Sequence, residues 1–144
     1  MRGSDGSAGD ANYQMIGRGY ARYRQPEPAI AAVIQEALGN ARTVLNVGAG
    51  GGSYEPFDRL VTAVEPSASM RAERPAHLPE AIDAVAEALP FPDQSFDASM
   101  ATSTVHQWPD LNRGLQELRR VTRGPIVILT SDPDLLANWW LSDY

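Results

Sequence analysis

Apolar residues first recur at helical spacing between Pro28 and Leu38, where Ile30, Val33, Ile34, Ala37 and Leu38 share one side of a 3.6-residue period. Pro28 suits a first turn and Gly39 supplies a stop, so the pattern predicts a helix over Pro28–Leu38. Thr43–Val47 then reads as a buried strand running straight into a glycine cluster, and Leu60–Glu65 as a second strand ended by Pro66. Ser67 can cap a short helix through Met70 and Arg71. Ala81–Ala86 gives a weaker third strand, Leu89–Ser95 carries turn chemistry, and Phe96–Ala101 gives a fourth strand. Asp110 can cap a helix bearing Leu111, Leu115, Leu118 and Val121, closed by Gly124 and Pro125. Ile126–Leu129 is the plainest strand of all, and Asp132-Pro133 opens a last helix with Leu135, Leu136, Trp139 and Trp140. Residues 1–11 are small, polar and glycine-rich, which predicts a disordered leader ahead of one domain over 12–144.

Strands alternating with helices over such short connections predict an α/β fold. It is a Rossmann-like, doubly wound and mainly parallel sheet of about five strands. In such sheets ligands bind beyond the carboxyl ends of the strands, at the point where strand order reverses. That rule directs attention to Gly48–Tyr54, Glu65, Ala86–Leu89 and Ala101–His106.

Composition changes this picture only by exclusion. A hydrophobic share of 43% and a charged share of 21% are ordinary for a globular domain. No apolar run approaches the roughly 20 residues that span a bilayer, so no membrane partner is expected. With no cysteine there is no disulfide framework and no thiolate chemistry, and a cytoplasmic location is the default expectation. His77 and His106 lie far apart, which argues against a metal site. The net charge of −6 disfavours nucleic acid held by a broadly basic surface. All twelve basic residues are arginine, which removes Schiff-base and Walker-type lysine chemistry.

The chemistry concentrates after the first strand, in Asn46-Val47-Gly48-Ala49-Gly50-Gly51-Gly52-Ser53. Glycines there let the backbone turn sharply and approach a ligand closely, although glycine clusters also make ordinary turns. Glu65 stands at the end of the next strand, about twenty residues after the loop begins, where a carboxylate can accept from both hydroxyls of a ribose. Alone it reads equally as a solvated charge. Together the two features favour an adenosine-containing ligand. A dinucleotide fingerprint starting at Gly48 would need glycine where Ser53 stands, and Pro56 breaks the crossover before it can offer a helix to a pyrophosphate. Both points disfavour a nicotinamide dinucleotide and fit a ligand without phosphates.

Val44-Leu45-Asn46-Val47-Gly48-Ala49-Gly50-Gly51-Gly52, Val64-Glu65-Pro66-Ser67, Ala86-Glu87-Ala88-Leu89-Pro90-Phe91-Pro92-Asp93 and Ser95-Phe96-Asp97 together resemble the successive motifs of class I S-adenosylmethionine-dependent methyltransferases, in particular the "type 11" group. The resemblance spans about residues 20–140. It implies S-adenosyl-L-methionine as cofactor and methyl transfer to a small-molecule substrate. Gly48, Ala49 and Gly50 would pass close to the methionine portion, with Asn46 at the loop's base, and Glu65 with Pro66 would hold the ribose. Ala86, Glu87 and Ala88 would flank the adenine, and Ala101 and Thr102 would line the cofactor. Met70 would pack on the adenine or else fill the core. Tyr20 and Arg24 would touch the cofactor carboxylate from an N-terminal lid, or form part of an amphipathic surface segment. His106 would take a proton from the acceptor, or else be a loop histidine satisfied by hydrogen bonds.

Three positions depart from the family pattern. Asn46 stands where the first motif usually has an acid, which keeps hydrogen bonding but loses charge. Val85 stands where an aspartate often reads the adenine amino group. The family's domain also continues past its fifth strand into two more, whereas this chain ends at Tyr144. That ending leaves Trp139 and Trp140 as an expected apolar surface for self-association, and a binding module without turnover as the second hypothesis.

Overall fold

The computed structural model describes residues 27–102 and 107–129. The leader 1–11, Tyr20, Arg24, His106 and the predicted helix with Trp139 and Trp140 lie outside the described residues.

Helix α1 spans Pro28–Leu38, with proline in its first turn and Gly39 in the left-handed region at its end. Gly39 donates its N–H to the carbonyls of Gln35 and Glu36, closing the last turn. Strand β1 is Thr43–Val47 and β2 is Leu60–Val64. Helix α2, Ala68–Ala72, starts where the Ser67 hydroxyl accepts from the Met70 N–H. Strand β3 is Ala98–Thr102, helix α3 is Leu111–Val121 behind the Asp110 cap, and strand β4 is Ile126–Leu129.

The four strands are all parallel, in the order β2-β1-β3-β4. The chain goes from β1 to one side and then returns to build the other, so strand order reverses between β1 and β3. The connection over 48–59 is a run of turns without a regular helix, about the minimum length for a parallel crossover.

Alternation along the strands sorts the core into two layers. Leu45, Val47 and Val64 pack with Leu115, Leu118 and Val121 of α3, and with Ala86, Leu89 and Phe96. Val44, Ala98 and Met100 point the other way, against Ile34 and Leu38 of α1. Each fully buried leucine of this kind contributes about 2 kcal/mol. Val33, counted on the apolar side of α1 by its spacing, is instead largely exposed.

Two strand expectations are corrected. Ala81–Ala86 forms no strand. Ile82 makes one bridge beside Val64, donating to the Ala63 carbonyl and accepting from the Glu65 N–H, and the chain then turns back at Val85 and Ala88. Ile82 and Val85 are exposed, so the segment presents only small alanines inward and has too little to bury for a longer ladder. The sheet accordingly has four strands among the described residues, not about five. The strand expected at Phe96–Ala101 starts two residues later, because Phe96 leaves the sheet to pair with Thr122 and packs edge-on against Phe91.

Asp97, just before β3, ties the amino ends of two strands. Its Oδ2 accepts from the backbone N–H of Arg42 and Thr43 at 3.0 and 3.2 Å, and its own N–H donates to the Thr43 hydroxyl. Arg123 closes on its other oxygen. That guanidinium first, and the two backbone donors next, hold the Asp97 carboxyl well below the usual range.

Candidate functional site

The loop after β1 is fastened to the end of β2. Gly48 and Ala49 both donate their N–H to the Val64 carbonyl, each at 3.0 Å. One residue on, the Glu65 side chain turns back over that loop. Its Oε1 accepts from the Gly50 N–H at 2.8 Å and its Oε2 from the Ser67 N–H at 3.0 Å. Glu65 as a whole is 9% exposed, and each carboxylate oxygen keeps a lone pair for a further donor. The glycine loop and the acid of the neighbouring strand therefore meet at the carboxyl ends of β1 and β2, beside the reversal of strand order, where ligands of parallel sheets bind.

Helix α2 supplies the next side of this cleft. Arg71 donates to the carbonyls of Glu65 and Pro66, holding the chain after β2. Met70 is more than a third exposed and lies over the loop rather than in the core. Its Cε is 3.1 Å from the place a Cβ on Gly50 would take, and Gly50 has φ of +50°.

Under the loop lies a polar cluster that no periodicity in the sequence marks. Asn46, on the α1 side of β1, donates Nδ2 to Glu55 Oε2 at 2.8 Å. Glu55 Oε1 accepts from Arg74 Nη2 at 2.7 Å, and both side chains are almost wholly buried. Arg74 also donates to the carbonyls of Gly50 and Pro79. Sequence patterning singles out neither Glu55 nor Arg74. Only the fold puts them together.

Asn46 is 2% exposed, and its Oδ1 is buried with no partner among the described residues. An unpaired buried acceptor costs free energy until a donor arrives. That orphan and the spare lone pairs of Glu65 fit a ligand that brings hydrogen-bond donors at two points.

Ala86, Glu87 and Ala88 are fixed by α3 rather than by the glycine loop. Ala86 is buried in the α3 layer near Trp108 and Gly114. The Glu87 carboxylate accepts from the Asp110 N–H, and its carbonyl accepts from Arg113, so this residue serves the start of α3. Downstream, Arg120 donates to the carbonyls of Leu89 and Phe91 and to Asp93, while Glu117 accepts from the Leu89 N–H. The Arg120 guanidinium is the main cause that pulls the Glu117 carboxyl below its ordinary range. Ala101 is buried and Thr102 half-buried at the carboxyl end of β3.

An open hollow of about 600 Å³ lies elsewhere, between Gly39–Arg42 and Phe57–Leu60. It sits at the amino ends of β1 and β2, opposite the glycine loop. Hollow and chemistry disagree here, and the chemistry decides: two facing elements with unused hydrogen-bonding capacity outweigh an open groove. Among the described residues no group of three or more histidine, aspartate or glutamate side chains could hold a metal ion. No described helix is long and apolar enough to cross a membrane.

Residues 45–125 match the methyltransferase domain family. No curated protein matches the chain. Among solved structures, a candidate methyltransferase from an antibiotic biosynthesis pathway of Anabaena variabilis is 30% identical, with a TM-score of 0.69, over 82% of this chain and 53% of its own. A S-adenosylmethionine-dependent methyltransferase of Thermotoga maritima, described as a possible histamine N-methyltransferase, is 25% identical with a TM-score of 0.64, over 78% of this chain and 56% of its own. A candidate type II methyltransferase of Anaeromyxobacter dehalogenans is 29% identical with a TM-score of 0.57, over 70% of this chain and 45% of its own. The chain thus spans about half the length of these structures.

Proposed function

This chain belongs to the methyltransferase domain family, and from that premise we propose that it binds S-adenosyl-L-methionine between the glycine loop and Glu65 and serves methyl transfer to a small-molecule acceptor. One observation carries the reading: the Glu65 carboxylate and the Gly50 N–H are in hydrogen-bond contact at the strand ends. The Anabaena and Thermotoga proteins, one tied to antibiotic biosynthesis and one to histamine, support a small acceptor.

When bound, the cofactor supplies a methyl group on a sulfonium, already an excellent leaving group. The chain's own residues contribute placement and exclusion of water. Glu65 would accept from the ribose hydroxyls, and Gly48, Ala49 and Gly50 would let the backbone approach the methionine portion. Met70 would cover the nucleoside, and Ala86–Ala88, Ala101 and Thr102 would close its far side. Tyr20 and Arg24 remain our candidates for the carboxylate of the cofactor. His106 is our candidate for taking a proton from the acceptor's hydroxyl or amine.

Isothermal titration with S-adenosylmethionine and with S-adenosylhomocysteine tests the assignment. Both should bind the wild-type chain, and Glu65→Gln should weaken both by about tenfold or more, the worth of a charge-assisted hydrogen bond. Absence of binding by either ligand at millimolar concentration would overturn it.

A further inference from the structure

The glycine loop rests on a buried ion pair that the roles above leave unused. Glu55 and Arg74 have side chains 0% and 3% exposed. A buried pair is seldom more stabilising than apolar residues of the same shape, so its other contacts point to what it does. All of them run to the loop, to its base, or to the Pro79 carbonyl.

The Glu55 carboxylate can only accept. Asn46 must therefore present Nδ2 to Glu55, and its Oδ1 is forced the other way, where it is buried without a partner among the described residues. Arg74 completes the arrangement by neutralising Glu55 and by holding the Gly50 carbonyl at 3.1 Å. Gly50 is thus gripped on both sides, its N–H by Glu65 and its carbonyl by Arg74.

We propose that Glu55 and Arg74 are positioning residues for the cofactor's amino-acid end: they fix the amide of Asn46 so that Oδ1 meets the ligand's ammonium group, and they fix the loop at Gly50. The inference rests on the cofactor reading above. It assigns the two ends of the ligand to different sets of residues. Glu65 serves the sugar, and the Asn46–Glu55–Arg74 relay serves the ammonium. Because Arg74 neutralises Glu55, the relay contributes the orientation of the Asn46 amide rather than a net charge.

Two ligands separate these ends. S-adenosylhomocysteine carries the ammonium, whereas 5′-methylthioadenosine has the same nucleoside without it. Titration calorimetry would compare them on the wild type, on Glu55→Gln, and on the double variant Glu55→Leu with Arg74→Met. The glutamine can face Asn46 with either end and so releases the forced orientation. The double variant removes both buried charges together, and a thermal melt establishes which variant is folded. A folded variant should bind S-adenosylhomocysteine about tenfold more weakly while methylthioadenosine stays within about twofold, the signature of one lost hydrogen bond to a charged group. Unchanged affinity for both ligands, or equal loss of both, overturns the inference while leaving the cofactor reading in place. Failure of the wild type to bind either ligand overturns the cofactor reading and the relay with it.

Discussion

Gly51 and Gly52 are neighbours in one loop with opposite tolerances. A Cβ on Gly51 would meet nothing within 4 Å. On Gly52, whose φ is +82°, it would fall 2.5 Å from Leu78 and close to Glu55 and Arg74. Gly52→Ala combines left-handed strain of about 1–2 kcal/mol with displacement of that buried wall. Gly51→Ala should stay within about 0.5 kcal/mol of wild type. Urea denaturation of the two variants checks this, and equal stabilities would mean the wall does not press on the loop. The glycine run was legible in the sequence as a sharp turn after β1, but the division of labour inside it was not. Which glycine faces open space and which faces a packed side chain depends on Leu78 and Arg74, more than twenty residues downstream and without any periodic signal.

Among the elements, α3 depends on a local device. Asp110 accepts from the Arg113 N–H, and its own N–H is taken by Glu87. Asp110→Ala should cost about 1 kcal/mol and Asp110→Asn much less, as read from thermal melts. Indistinguishable melts for the two would remove the capping role. Helices and regular strands were legible because each carries its own instruction: Pro28 and Gly39 bracket α1, Ser67 starts α2, and Ile126–Leu129 is apolar throughout. Segment 81–86 was misread because its alternation rests on alanines, and its larger residues Ile82 and Val85 stay exposed. Local pattern cannot report that a strand has too little to bury. The site was partly legible for the same reason. Gly50 and Glu65 lie at strand ends that the pattern locates, whereas Glu55 and Arg74 come from irregular chain.

The molecule as a whole should lose stability in acid in a defined window. Asp97 and Glu117 both titrate below their ordinary values in the folded state. A lowered folded pKa favours the native state fully above the unfolded value, and that contribution fades as pH falls through the folded one. Asp97→Asn should therefore be less stable than wild type at pH 7, with the gap narrowing below about pH 4 as the carboxyl of the unfolded wild-type chain takes up protons. Chemical denaturation at pH 7, 4 and 2.5 measures it, and a constant gap would exclude the linkage. Asp97 sits at the amino ends of β1 and β3, while Gly50 and Glu65 sit at the opposite ends of the sheet. Anchor and candidate site are thus a strand's length apart. Substitutions around Thr102 or Met70 can then accumulate without unzipping the Asp97 anchor, which makes the carboxyl end of the sheet the natural target for a laboratory selection.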